Sequence, residues 1–111
     1  MRLSVIVPAK DPNDPQLQQL LASLRDQDLQ ESLEVEVLVE SQGNSEQAKA
    51  YAINRATGDV LLFLCADNVL RDHHFIKKML WWERYSGIDG AFPAYYDYVP
   101  GDRPLSRYFA L

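Results

Sequence analysis

Val60-Leu61-Leu62-Phe63-Leu64-Cys65 is apolar at every position, and it is closed by Ala66-Asp67-Asn68. A run this short cannot cross a bilayer, which takes about 20 apolar residues. Uniform apolarity predicts a central strand of a parallel sheet, covered on both faces, rather than a half-solvated strand that alternates. A parallel strand must be reached by a crossover, so helices should flank it in sequence.

The rest of the chain supplies them. Leu3 to Val7 is a β-branched apolar run stopped by Pro8, which reads as a buried strand. Asp14-Pro15 is a helix start, with a side-chain cap followed by proline at the first helical position. Leu17, Leu20, Leu21 and Leu24 then give one apolar stripe. Leu33, Val35, Val37 and Val39 alternate with Glu34 and Glu36 as a second strand, and Leu38 tips it towards burial. Glu40 to Asn44 is a turn in which Gly43 supplies positive φ. Asn44 and Gln47 have the spacing of a capping box. Ala48, Tyr51, Ala52 and Ala56 share a helical face, with Thr57-Gly58 as a glycine stop. Asp72 is the expected cap of a third helix with Phe75, Ile76, Met79 and Leu80 inward and Gly87 at its end. Ile88 to Phe92 completes a β-α-β-α-β-α-β order, which favours a parallel sheet with right-handed crossovers. At 111 residues the chain is expected to be one domain, 1–111. Its apolar end, Arg107-Tyr108-Phe109-Ala110-Leu111, reads as a cut inside a larger domain or as a short helix packed at the terminus.

Charge narrows the partners. The net charge of −5 and pI near 4.8 disfavour nucleic acid, whose phosphates an acidic chain repels. The single cysteine, Cys65, excludes an internal disulfide and a Cys-based zinc site. With no signal peptide pattern at Met1 to Lys10, a cytoplasmic location is expected. His73 and His74 are adjacent, so on a helix they diverge by about 100° and cannot clamp one metal.

In a parallel sheet every strand delivers its loop to the same edge, where ligands bind. Three such loops carry acids: Asp11, Glu40 and Asp67. A carboxylate at such a rim suits Mg2+ or Mn2+, hard ions that bridge to phosphate oxygens. Asp67 is the sharpest candidate; as a bland alternative it forms a turn ahead of Asp72.

Three segments, taken in order, resemble family 2 glycosyltransferases. Val5-Ile6-Val7-Pro8-Ala9-Lys10-Asp11 is similar to the family's opening strand and loop. Val37-Leu38-Val39-Glu40 with Gly43-Asn44-Ser45 resembles its second strand and acidic turn. Arg55-Ala56-Thr57-Gly58-Asp59, continuing through Val60 to Asn68, resembles the stretch that carries the D-x-D motif. The resemblance spans residues 3 to 68 and implies a GT-A type fold, a Rossmann-like three-layer α/β sandwich with a mainly parallel sheet. It implies a nucleoside-diphosphate-sugar donor, assistance from Mg2+ or Mn2+, and a saccharide or lipid-linked acceptor. Peripheral association with the inner face of a membrane, through a part beyond this chain, would accompany a lipid-linked acceptor.

Carried over by position, Pro8, Ala9 and Asp11 would line the base and ribose pocket. Glu40 would recognise the nucleoside, and Lys49 would be the basic residue beside the donor. Cys65 and Ala66 stand at the first two positions of D-x-D, and Asp67 at the last, where the metal is met. Three departures stand out, one of them the short stretch from Gly43 to Arg55, which lacks the small strand many relatives insert before their second helix. Cys65 replaces a carboxylate, and a thiol is a poor acceptor for ribose hydroxyls; an ordinary buried strand end is its simpler reading. Glu40 replaces an aspartate with a longer arm. Asp89, Asp97 and Asp102 are the acids downstream, and none lies in a motif that marks a general base. The rival classes are a phosphoacceptor receiver domain, which needs a fifth βα unit with a lysine, and a non-catalytic nucleotide-binding relative.

Overall fold

The computed structural model describes residues 1–86. The chain divides into two compact units, Met1–Lys78 and Met79–Leu111. The expected fourth strand at 88–92, the glycine stop at Gly87 and the acids Asp89, Asp97 and Asp102 lie outside the described residues.

Three strands and three helices alternate: β1 (Arg2–Pro8), α1 (Pro15–Arg25), β2 (Glu34–Glu40), α2 (Ser45–Arg55), β3 (Val60–Phe63) and α3 (Phe75–Ser86). The sheet is parallel with the order β2-β1-β3. Register pairs Ser4 with Glu36 and Leu61, and Ile6 with Leu38 and Phe63. The fold is thus a small α/β unit of Rossmann-like kind. The first crossover moves from β1 to one side and the second returns across β1 to the other. Right-handed connections of that kind place α1 and α2 on opposite faces.

Within the described part of the sheet β1 holds the middle. Among the described residues β1, not β3, lies between two neighbours, and Leu3 to Val7 are all 1% exposed or less. β3 ends at Phe63 and has β1 as its neighbour among the described residues, with Leu61 38% and Phe63 45% exposed.

The helices form for the reasons their sequences suggest. Asp14 caps α1 by accepting from the Gln16 backbone N–H, with Pro15 at the first position. Leu17, Leu20 and Leu24 are buried from that helix. Asn44 and Gln47 form the reciprocal capping box of α2 at 2.9 Å in both directions. Gly43 before it has φ 74°. Ala48 and Ala52 face inward, as a close helix–sheet approach requires, while Tyr51 lies outside at 46% exposure. Asp72 accepts from the His74 N–H and so precedes α3 as a turn, two residues before its expected capping place. Ile76 is the buried residue of the first turn of α3.

Gly58 is not the stop of α2, which ends at Arg55 with Ala56 as its cap. Its role is close approach. A Cβ at Gly58 would lie 2.5 Å from Ser4 Oγ, 2.7 Å from Ser4 N and 2.9 Å from Arg2 O. Around it the end of α2 is fastened to the amino-terminal edge of the sheet. The fully buried Ser4 hydroxyl donates to Glu36 Oε2 and accepts from Gly58 N at 2.8 Å. Glu36 Oε2 also accepts from Thr57 N and Thr57 Oγ1 at 2.7 and 2.9 Å. Asp59 and Arg2 exchange bonds through Asp59 N to Arg2 O and Arg2 N to Asp59 Oδ2. Those donors, the Ser4 hydroxyl first, hold the Glu36 carboxyl down to about 2.

A second fastening joins the end of α1 to the segment before α3. The buried Gln27 amide donates to Asp72 O and accepts from Ile76 N, and Ser23 Oγ accepts from Leu70 N. His74 Nδ1 lies 3.4 Å from Asp28 Oδ2, and Lys77 Nζ lies 2.9 Å from the same oxygen. The hydrogen bond from Lys77 is the main reason the Asp28 carboxyl is held below its usual range. Both histidines are exposed and spent on this joint.

Candidate functional site

Parallel strands bring the ends of β1 and β2 together, and the Ala9 N–H donates to Glu40 O at 2.9 Å, extending the pairing past the last strand residue. Where the two chains then part, a shallow open hollow of about 80 Å3 remains. Pro8, Ala9 and Lys10 line it from β1, and Glu40, Ser41, Gly43 and Ser45 line it from β2 and the start of α2. The hollow opens at the carboxyl edge of the sheet between β1 and β2, whereas in the order β2-β1-β3 the switch-point crevice falls between β1 and β3.

Glu40 is the best-anchored acid there. Its side chain is only 11% exposed. Oε1 accepts from the Ser41 and Gln42 backbone N–H groups at 3.0 and 3.1 Å. Oε2 accepts from Arg55 Nη2 at 2.8 Å. A carboxylate has about four acceptor positions, so three are filled and one, on Oε2, remains. The glutamate arm lets the carboxylate fold back on its own turn, fixing the wall of the hollow.

The other sequence-predicted residues separate into two groups. Pro8 and Ala9 line the hollow with Glu40. Asp11, Lys49, Cys65, Ala66 and Asp67 do not. Asp11 Oδ1 accepts from Asn13 N and shapes the loop ahead of α1. Lys49 Nζ pairs with Glu46 at 3.1 Å along the helix surface. Cys65 is exposed, not the buried strand end anticipated, because β3 stops two residues earlier. Its N–H donates to Asn68 Oδ1, and Asn68 N donates back to Cys65 O. These bonds close a turn with Ala66 and Asp67 at its tip. Asp67 is exposed, and no described residue donates to its carboxylate.

Lys10 is the residue that sequence reasoning passed over. It lines the hollow, and no carboxylate of the described residues lies within ion-pair distance of it. Its place directly after Pro8-Ala9 was the available signal. Lys49 drew attention instead because the resemblance pointed to that helix.

Among the described residues no group of three or more His, Cys, Asp or Glu side chains is gathered to hold a metal ion. Mg2+ ordinarily needs only one or two carboxylates, with substrate phosphates and water completing its shell. A lone exposed carboxylate such as Asp67 fits a site of this sort, one that forms together with a phosphate ligand. No helix among the described residues is long and apolar enough to cross a membrane. No protein-family model, curated protein or solved structure matches the chain.

Proposed function

We propose that the chain is the donor-binding part of a glycosyltransferase of GT-A type, which takes a nucleoside-diphosphate sugar at the carboxyl edge of its sheet. The observation that carries this reading is the hollow in which Pro8, Ala9 and Glu40 meet. The resemblance assigns these three to the donor, and they come from two separate strands. Glu40 contributes a fixed carboxylate with one acceptor position left for a donor group of the ligand. Asp67, at the tip of its turn on the same edge, would hold Mg2+ or Mn2+ through the ligand's phosphates. When bound, the metal supplies neutralisation of the charge that builds on a departing diphosphate. The acceptor, saccharide or lipid-linked, would be met by a part of the protein outside this site.

Calorimetric titration with UDP and GDP, with and without Mn2+, tests the reading. One of the two nucleotides should bind, and more tightly with Mn2+. Asp67→Asn should abolish the gain from Mn2+ while leaving the metal-free affinity in place. Failure of the wild type to bind either nucleotide under any metal condition sinks the reading.

A further inference from the structure

We infer that Ser23 and Gln27, two buried polar side chains at the end of α1, are positioning residues for Asp67. This rests on the reading of Asp67 as the residue that meets the metal.

No described residue donates to the carboxylate of Asp67, so its place is set by its turn and by what holds that turn. The turn closes on itself between Cys65 and Asn68. It is also tied to the body of the fold three residues away on either side. Before it, Leu64 N donates to Ile6 O at 3.0 Å, which continues the pairing of β3 with β1. After it, Leu70 N donates to Ser23 Oγ at 3.1 Å. The first tie follows from the sheet. The second depends on one hydroxyl.

Packing alone would put an apolar side chain at position 23, within the stripe of Leu17, Leu20 and Leu24. The serine hydroxyl there donates to Leu20 O at 2.7 Å, which commits its one proton and leaves its lone pairs to accept. Leu70 N is the donor they receive. Gln27 acts further along the same connection. Its Nε2 donates to Asp72 O at 2.8 Å, and its Oε1 accepts from Ile76 N at 3.1 Å. Ile76 is the second residue of α3, and its N–H has no acceptor inside that helix. Gln27 therefore caps α3 from another helix while it holds the segment before it. Ser23 is 9% and Gln27 7% exposed, and hydrogen bonds away from water are costly to leave unmade. Apolar contact would let the connection slide along α1, whereas satisfied buried polar pairs specify one arrangement.

α1 thus links the two loops that flank the switch point. It begins where the loop leaving β1 ends, and through these two side chains it holds the connection leaving β3; β1 and β3 are neighbours in the sheet.

The test combines amide hydrogen exchange with calorimetric titration of UDP and GDP, with and without Mn2+, on Ser23→Ala, Gln27→Met and Glu36→Gln. Glu36→Gln loosens the amino-terminal edge of the sheet and controls for lost stability. In Ser23→Ala the Leu70 amide should exchange faster while those of β1 keep their protection. The gain in nucleotide affinity from Mn2+ should fall about tenfold in Ser23→Ala and in Gln27→Met, as when the supports of a metal ligand are removed, at unchanged metal-free affinity. Glu36→Gln should keep the full gain. An undiminished gain in either of the first two variants, or unchanged exchange of Leu70 in Ser23→Ala, overturns the inference. So does an equal loss in Glu36→Gln or a parallel fall in metal-free affinity, each the mark of general loosening. All of these results leave the donor reading in place. A wild type that binds a nucleotide with no gain from Mn2+ removes the inference and the metal role of Asp67 but keeps nucleotide binding. Binding of neither nucleotide removes the reading and the inference together.

Discussion

Replacing Gly58 with alanine probes the fastening at the amino-terminal edge of the sheet. Gly58 does not have positive φ, so backbone conformation alone would let alanine stabilise the chain, by about 0.4–1 kcal/mol through the unfolded state. The structure predicts the opposite sign. The added Cβ would sit 2.5 Å from Ser4 Oγ, 2.7 Å from Ser4 N and 2.9 Å from Arg2 O, against the ~3.5–4.0 Å of a comfortable contact between carbons. Two of those three atoms are backbone of the central strand and cannot rotate away. Overpacking of this kind costs about 1–3 kcal/mol, so a net loss of about 2 kcal/mol is expected. In urea, with a slope of about 1–3 kcal/mol/M, this moves the midpoint by roughly 1 M at constant slope. The Ser4→Ala background separates the contacts. It removes the hydroxyl and leaves Ser4 N and Arg2 O where they are, so Gly58→Ala should remain costly there, with well over half its effect. A neutral or stabilising Gly58→Ala refutes the close-approach account. Full rescue by Ser4→Ala would confine the clash to the hydroxyl and refute the role of the backbone.

Glu36 gives the same fastening a pH dependence. Its folded value, about 2, lies below the usual 4.5, so the stability it contributes is complete above about pH 4.5 and is lost as pH falls through about 2. Glu36→Gln should be less stable than wild type at pH 7, and denaturant titrations should show the gap closing between those two pH values; a constant gap would count against the Ser4 and Thr57 bonds. At the start of α2, Asn44→Ala removes half of the capping box and should cost about 1 kcal/mol, read from the thermal midpoint. A change indistinguishable from zero would mean that the sheet alone holds the helix start.

Much of the architecture was legible because it is local. Asp14-Pro15, Asn44 with Gln47, and Gly43 each state their backbone requirement within four residues, and the structure meets each one. Strand order is not local. The runs Leu3 to Val7 and Val60 to Cys65 look alike by composition, and nothing within either encodes that β1 is the one set between β2 and β3. The candidate site divides in the same way. Pro8, Ala9 and Glu40 meet because parallel strands must end on one edge, which the β-α-β pattern dictates. The partners of Glu40 depend on how far one glutamate arm and one arginine arm reach, and pattern does not carry that. Ser4 and Glu36 escaped notice for a related reason. They sit 32 residues apart and gain meaning through the register that pairs them.

The central position of β1 has a consequence for synthesis on the ribosome. β1 is made before the other described elements, and its two partners end at residues 40 and 63. At roughly 5–20 residues per second, several seconds separate its appearance from that of its second partner. During that interval the most buried strand of the sheet has an unfilled hydrogen-bonding edge, the condition that invites pairing with other chains. Of the three strands, β1 is therefore the one most exposed to misassociation during synthesis, and chaperone binding at Arg2–Pro8 would shield both edges until β2 and β3 arrive.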